Sequence, residues 1–543
     1  MANVNLRDLE HVCLGRDRHC FALQGDLGLL AADTYLIPTD SYGRVEDHWE
    51  WAVGHDEHGR TRQLHDAAAL LATRGFAWVD GTPAGSVLAL NVAGGTTVND
   101  VASMIRRLTA ALDALESGGL VSEFRARPLV AMPLIGVGQA GLGGRTGEVI
   151  SALLGAIGDH FDRTPAGGFD MAIVTRDPSS IAALQHARRG RFVQRSASTT
   201  PEWLDRIVRS AREGALAVIF GAGASASLGL PMWNELLARL VDSLDDPTLA
   251  EMDLTGLDPV DAATLLIEAG GAVWFAAALA RLLGTPRHSL THGLIANLRC
   301  PLTITTNYDQ AFEIAAQSIT GLPLSVLPWD SDSVDGPRIL KLHGDLSRGQ
   351  LVLSRDQFVA MHAFRRPLAG VLQSRMLIGQ LLAVGTSMSD ATLVHAAEEF
   401  RALIEQAQRS GAASGSLTGA SPDSACDSST ERAKAGTVIL TASDPARVRL
   451  LERSFSVVEG DDHRGILESA RDVDVLLDWM AMQTSSDLSF ALDPRYRAIL
   501  SPSDQALAAA LSALAGSEIV AGIPDSTLSQ SLATYLRSLG IEG

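Results

Sequence analysis

Along the chain, short and almost unbroken apolar runs alternate with longer segments whose apolar residues recur every three or four positions. In the first third, "DTYLIPTD", "SVLALNVAGG", "PLVAMPLIGVG" and "FDMAIVTRD" predict strands, and "VASMIRRLTAALDALES" and "GEVISALLGAIGDHF" predict the helices between them. Strands that are apolar on both faces and joined by helices belong to parallel sheets buried beneath helical layers. A second series follows with "ALAVIF", "PLTITT", "RILKLH", "LLAVG" and "TVILTA" as strands, each ending in polar or Gly residues. Helices such as "PMWNELLARLVDSL" and "LVHAAEEFRALIEQAQ" lie between them.

The fold class is therefore α/β. An α/β domain spans residues 1–195, a Rossmann-like parallel-sheet domain spans 205–490, and two short amphipathic helices after 495 ("SDQALAAALSALAG", "STLSQSLATYLRSLG") form a tail to 543. The polar stretch "RFVQRSASTTPEW" reads as the linker between the domains, and Ser410–Thr430, small, polar and aperiodic, reads as a mobile surface insertion. A length of 543 residues agrees with two or three domains. No repeat of solenoid period is present.

Composition narrows the partners. With 44 basic against 63 acidic residues the net charge is −19, so polyanions are repelled and nucleic acid is not expected. The basic residues are almost all Arg, with lysine only at Lys341 and Lys434, which reads as base composition of the source. Cys13, Cys20, Cys300 and Cys426 are too few for a disulfide scaffold and include no CxxC pair, so no structural zinc is expected. The N-terminus lacks the basic flank and apolar stretch of a secretion signal, and "AGGAVWFAAALA" is too short to cross a bilayer. A cytoplasmic protein without a membrane anchor is the expectation.

Candidate chemistry begins at "LAVIFGAGASASLGLPMW", residues 216–233. A strand enters a G-x-G-x-x-A turn through Gly221, Ala222, Gly223 and Ser225, whose backbone amides and absent side chains suit a pyrophosphate, although a tight strand-to-helix turn needs the same glycines. An ordinary dehydrogenase would continue with a second strand ending in an acidic ribose ligand. Here "DPTLAEMDLTGLDP" contains no strand, and that reading fails. The later predicted strands instead end in polar sets: Asn307 and Asp309, His343 and Asp345, then Gly385, Ser387 and Asp390. Singly these residues could cap helices or sit as satisfied interior groups. Together, after a phosphate-type turn, they outline a nucleotide crevice at the carboxyl ends of a parallel sheet.

The segments "GAGASASLGLPMW", "TTNYD", "KLHGD" and "VGTSMSD" resemble the four signature segments of the sirtuin family, in the same order, over about residues 205–490. The resemblance implies that Gly221, Ala222, Gly223 and Ser225 cradle the pyrophosphate of NAD, that Asn307 and Asp309 hold the nicotinamide ribose, and that His343 is the catalytic histidine. Gly385 and Ser387 would line the adenosine side, with Asp390 among the cofactor-binding residues. Asn307 and His343 suit cleavage of a nicotinamide–ribose bond, which needs a base on the ribose hydroxyls and an amide that places the nucleophile. Two features depart from the sirtuin deacylases: the two CxxC pairs of their zinc module are absent, and their usual TQNID is here "TTNYD". In both the chain looks more like the bacterial sirtuin-like NAD hydrolases of anti-phage defence. An NAD or ADP-ribose sensor without turnover, and a protein deacylase, are the alternatives.

In the N-terminal part, "FALQGDLGLLAADTYLIPTDS" and "PLVAMPLIGVGQAGLGG" resemble the two signature loops of macro domains. That resemblance implies that Asp26 faces adenine and that Gly136, Gly138 and Gly141 surround a diphosphate. "PTDS" stands where macro domains carry an Asn-rich ribose loop, which favours binding over hydrolysis. An ADP-ribose-like nucleotide or a phage component acting on residues 1–195, and a homo-oligomeric active form, complete the expectation.

Overall fold

The strands Leu216–Phe220, Leu302–Thr305, Gln380–Val384 and Thr437–Leu440 are buried at almost every position, which is why their sequences are apolar without alternation. The computed structural model describes residues 4–6, 18–93, 100–138, 140–164, 168–192, 201–244, 254, 256–257, 259–330, 336–348, 350–351, 362–388, 390–415, 434–442, 444–461, 463–515 and 527–541. Two compact units account for the chain, and both are discontinuous in sequence: Met1–Glu10 with Thr199–Leu477, and His11–Ser198 with Asp478–Gly543.

The first unit is built on an eight-stranded sheet in the order Val4–Asn5, Ser456–Glu459, Thr437–Leu440, Gln380–Val384, Leu216–Phe220, Leu302–Thr305, Arg338–Lys341, Ser325–Leu327. Every pair in it is parallel. The five strands expected in this half are present. The added strands Val4–Asn5, Ser325–Leu327 and Ser456–Glu459 are two to four residues long. From Leu216–Phe220 the chain first builds outward through Leu302–Thr305, and only later lays Gln380–Val384 on the other flank. That reversal is the switch point at which parallel sheets open a crevice beyond their carboxyl ends.

Helices Trp233–Asp242, Pro259–Gly270 and Ala272–Leu283 share an apolar core that includes Leu236, Leu240, Leu266, Phe275 and Leu279, and Tyr308 and Leu346 pack against it. The apolar segment "AGGAVWFAAALA" is broken at Gly271, whose φ of 83° lies in the region glycine favours. Among the described residues no single helix is long and apolar enough to cross a membrane; Val260–Gly270 and Ala272–Leu283 meet that length and composition together but are bent by 116°.

The second unit has a six-stranded sheet in the order Cys20–Gln24, Asp170–Thr175, Leu129–Pro133, Thr34–Thr39, Gly85–Asn91, Phe76–Thr82. All pairs are parallel except the last, a hairpin. The expected helices are found at Val101–Ser117 and Thr146–Arg163. Residues 478–543 share this unit's interior: Phe490 and Tyr496 join its core, and a Cβ on Gly147 would lie 2.8 Å from the Tyr496 carbonyl oxygen. The expected tail helices are Pro502–Ala515 and Thr527–Ser538. Helix Ala391–Gly415 extends into the expected 410–430 insertion; the rest of that insertion and residues 193–200 of the expected linker lie outside the described residues.

Candidate active site

Strand Leu216–Phe220 ends at Gly221, and the chain turns into a 3-10 helix, Ala222–Leu228. The glycines are needed for close approach. A Cβ on Gly223 would stand 2.8 Å from the carbonyl oxygen of Gly385, and one on Gly221 2.9 Å from the same atom. Gly385 itself has φ of 58°, so the loop after Gln380–Val384 can fold directly onto the turn. The Gly223 amide donates to the Gly385 carbonyl at 2.9 Å and is therefore engaged within the protein. Ser387, beyond it, is exposed.

Asn307 and Asp309 follow strand Leu302–Thr305 and are both buried. Their hydrogen bonds form a chain of fixed polarity. Asp309 accepts from the Ala311 amide through Oδ1 at 3.0 Å and from the Ser225 hydroxyl through Oδ2 at 2.9 Å. A carboxylate only accepts, so Ser225 must spend its proton there and offer a lone pair to Asn307. Asn307 Nδ2 donates to Ser225 Oγ at 3.1 Å and to the Gly221 carbonyl at 3.2 Å. The amide nitrogen is turned toward the glycine turn, and the opposite, carbonyl side is the one that can accept from a nucleophile.

His343 follows the neighbouring strand Arg338–Lys341. Its Nε2 lies 2.7 Å from Asp390 Oδ2, and Asp390 Oδ1 accepts from the Leu393 amide at 3.1 Å, at the start of helix Ala391–Gly415. A titratable ring held by a carboxylate is the arrangement of an oriented base. The ring of Tyr308 stands 6.1 Å from that of His343, centre to centre. Thus Asn307, Asp309, Ser225 and the glycine turn come together, and His343 joins Asp390.

Behind the turn lie residues that the motifs do not contain. Ser289 caps helix Leu290–Asn297, donates to the Ala224 carbonyl at 2.7 Å and lies 2.8 Å from His292 Nδ1. His292 is fully buried, and its Nε2 has no hydrogen-bond partner among the described residues. Burial pulls its pKa down from 6.5 to about 4, against the opposing pull of Asp309, so the ring is neutral. Only the helix cap, Ser289 before Leu290, marks this region in the sequence.

In the second unit, Asp26 follows Cys20–Gln24 and the loop holding Gly136, Gly138 and Gly141 follows Leu129–Pro133. These strands and Asp170–Thr175 between them are mutually parallel, so both loops emerge at one edge of the sheet. Asp26 accepts from the Gly28 amide at 3.0 Å and pairs with Arg176. Gly136 and Gly141 have φ of 85° and 83°; at Gly138 and Gly141 a Cβ would meet open space. Cys20 and Cys300 are buried free thiols, with pKa pushed up to about 12. Among the described residues no group of His, Cys, Asp and Glu could hold a metal ion.

Comparison with known proteins bears on this site. Residues 301–434, which carry Asn307, His343 and Gly385, match the model of the SIR2-like domain. The chain is 29% identical over 216 residues to the NAD(+) hydrolase ThsA of Acinetobacter baumannii (strain 532279), covering 38% of this chain and 43% of that protein. It is 23% identical over 208 residues to the NAD(+) hydrolase ThsA of Cytobacillus dafuensis, covering 37% and 41%. The aligned stretch thus spans about two fifths of the relatives' length.

Proposed function

We propose that this chain, which carries a sirtuin-like domain, is an NAD glycohydrolase that yields nicotinamide and ADP-ribose and acts in anti-phage defence by depleting NAD. The observation that carries the reading is the delivery of Asn307 and His343 by adjacent parallel strands, two residues beyond the register pair Thr305 and Lys341, beside the Gly221–Ser225 turn. Two relatives named NAD(+) hydrolases support it.

As the nicotinamide–ribose bond lengthens, positive charge develops on the anomeric carbon and the electron pair leaves with nicotinamide. His343, oriented by Asp390, withdraws proton density from the ribose hydroxyls and so stabilises that charge. Asn307 presents its carbonyl to the attacking water, because its nitrogen is engaged by Ser225 and Gly221. Water adds its oxygen to the anomeric carbon and releases one proton, giving ADP-ribose. A protein deacylase reading is weakened by the absence of CxxC pairs from the sequence.

The macro-like reading of residues 1–195 belongs to the same proposal. Asp26 and the Gly136–Gly141 loop share one sheet edge, which suits an ADP-ribose-like nucleotide as activator. A cytoplasmic homo-oligomer is the proposed working form. Incubating the purified chain with NAD and quantifying nicotinamide and ADP-ribose tests the reading. No nicotinamide above the buffer control, with or without ADP-ribose-like nucleotides, overturns it.

A further inference from the structure

Of 44 basic residues only two are lysines, and one of them, Lys341, is sealed inside the first unit with its side chain fully buried. Its ammonium donates to the Asp309 carbonyl at 2.6 Å, Glu313 Oε1 at 2.7 Å and Asp345 Oδ2 at 2.8 Å, with the Tyr308 carbonyl at 3.4 Å. These acceptors come from three places: the loop that carries Asn307, helix Ala311–Thr320, and the short strand Gly344–Asp345 just after His343. A compact ammonium can point its hydrogens at such a convergent set, whereas the flat fork of a guanidinium cannot. In a chain whose basic residues are almost all Arg, the lysine matches its surroundings.

The sheet ladder stops just where the site begins. Thr305 and Lys341 are the last register pair of their strands, and the Leu342 amide reaches the Thr305 carbonyl at 2.9 Å. Beyond this, the Leu346 amide contacts the Tyr308 carbonyl at 3.3 Å, and Lys341 supplies the charged link. Burying an ammonium with two carboxylates adds little net stability compared with a well-packed apolar cluster. Glu313 illustrates the cost: burial raises its carboxyl above the ordinary value, Lys341 offsets this only in part, and Oε2 has no partner among the described residues.

We propose that Lys341 is a positioning residue: its ammonium ties the loop bearing Asn307 to the turn bearing His343, so that amide and imidazole address the same ribose. This rests on the NAD-cleaving reading for its functional consequence, while the tie itself is a property of the protein alone. Lys341 donates no hydrogen bond to the Gly221–Ser225 turn itself and reaches it only through Asp309, so its loss acts on turnover more than on affinity.

The test uses the full chain carrying Lys341→Met together with Glu313→Met, which avoids stranding one charge. Asp345 remains held through Oδ1 by the amides of Ser347 and Arg348. Steady-state kinetics on NAD are measured with amide hydrogen exchange of peptides covering residues 305–311 and 342–347. The expected result is a kcat lower by about 100-fold, a KM within about threefold, and faster exchange in both peptides. Lys341→Arg is expected not to restore turnover. A folded double variant with kcat within about threefold of the parent, or with unchanged exchange, overturns the proposal. Should the Met pair not fold, Lys341→Gln, which keeps a neutral amide donor group, is read by the same criteria. If the parent chain itself releases no nicotinamide, the NAD-cleaving reading fails, and the exchange measurement alone decides whether Lys341 ties the loops.

Discussion

His343 and Asp390 are 2.7 Å apart, Nε2 to Oδ2, although the strands that deliver them are third neighbours in the sheet. Three strand spacings amount to about 14 Å, so the two loops must lean toward each other over the ends of the intervening strands, which carry Gly221 and Asn307. The contact therefore both orients the imidazole and bridges the loops on either side of those two strand ends. Asp390→Asn should lower kcat for nicotinamide release by roughly 100-fold, through loss of the carboxylate that fixes the ring. Undiminished turnover would reduce Asp390 to a cap for its helix.

Asn307→Ala and His343→Ala should each reduce nicotinamide release by about 100-fold to 10,000-fold while the protein stays folded. Near-parental turnover in both variants would remove the proposed site.

Much of this arrangement could be read in the sequence. The strand before Gly221 is five consecutive apolar residues because both sheet faces are covered, and Asn307 and His343 stand two positions past their strands. The ends of parallel strands converge by construction, so the polar residues there were bound to share an edge. What could not be read is pairing at a distance. Asp390 reads as a nucleotide ligand or helix cap, and its Oδ1 does accept from the Leu393 amide, but nothing in the sequence joins its Oδ2 to His343, nor shows that Ser225 gives its proton to Asp309. Likewise Lys341 passes as one more strand residue, because its four acceptors lie up to 33 positions away along the chain.

His292 makes stability depend on pH. Its folded-state pKa, near 4, lies below the ordinary 6.5, so unfolding takes up a proton between those values. Its contribution is therefore complete above about pH 6.5 and is lost as pH falls toward 4, by about 3 kcal/mol in all. His292→Gln should shrink the drop in melting temperature between pH 7 and about pH 4.5. An equal drop in parent and variant would show that another group titrates instead.

Asp478 and Arg188 form a fully buried pair in the second unit, with Arg188 Nη1 3.1 Å from Asp478 Oδ1 and His19 Nε2 2.7 Å from Oδ2. Burial would raise the Asp478 carboxyl, but Arg188 and His19 outweigh it and hold it below its usual value. Asp478→Leu should cost about 3–5 kcal/mol by stranding the guanidinium, and adding Arg188→Met should recover much of this. Equal melting temperatures for the single variant and the parent would exclude a structural role for the pair.

The N-terminal loops can be tested without touching the sirtuin-like unit. Gly138 has open space where a Cβ would go, so Gly138→Asp should fold normally while placing a carboxylate beside any bound diphosphate. ADP-ribose binding, measured by calorimetry, should weaken by about tenfold or more. If the parent binds no ADP-ribose, or the variant binds it equally well, this loop is not a phosphate cradle.

Because the second unit draws its interior from both His11–Ser198 and Asp478–Gly543, the order of synthesis separates its halves in time. The intervening residues 199–477 leave the ribosome first, which at ordinary translation speeds takes roughly 15 to 55 seconds. During that interval Arg188 waits without Asp478, and the surface that Phe490 and Tyr496 will cover stays open to chaperones. Nascent chains therefore finish the unit that carries Asn307 and His343 before its companion. A ribosome that aborts after Leu477 releases the first unit without the residues that complete its companion.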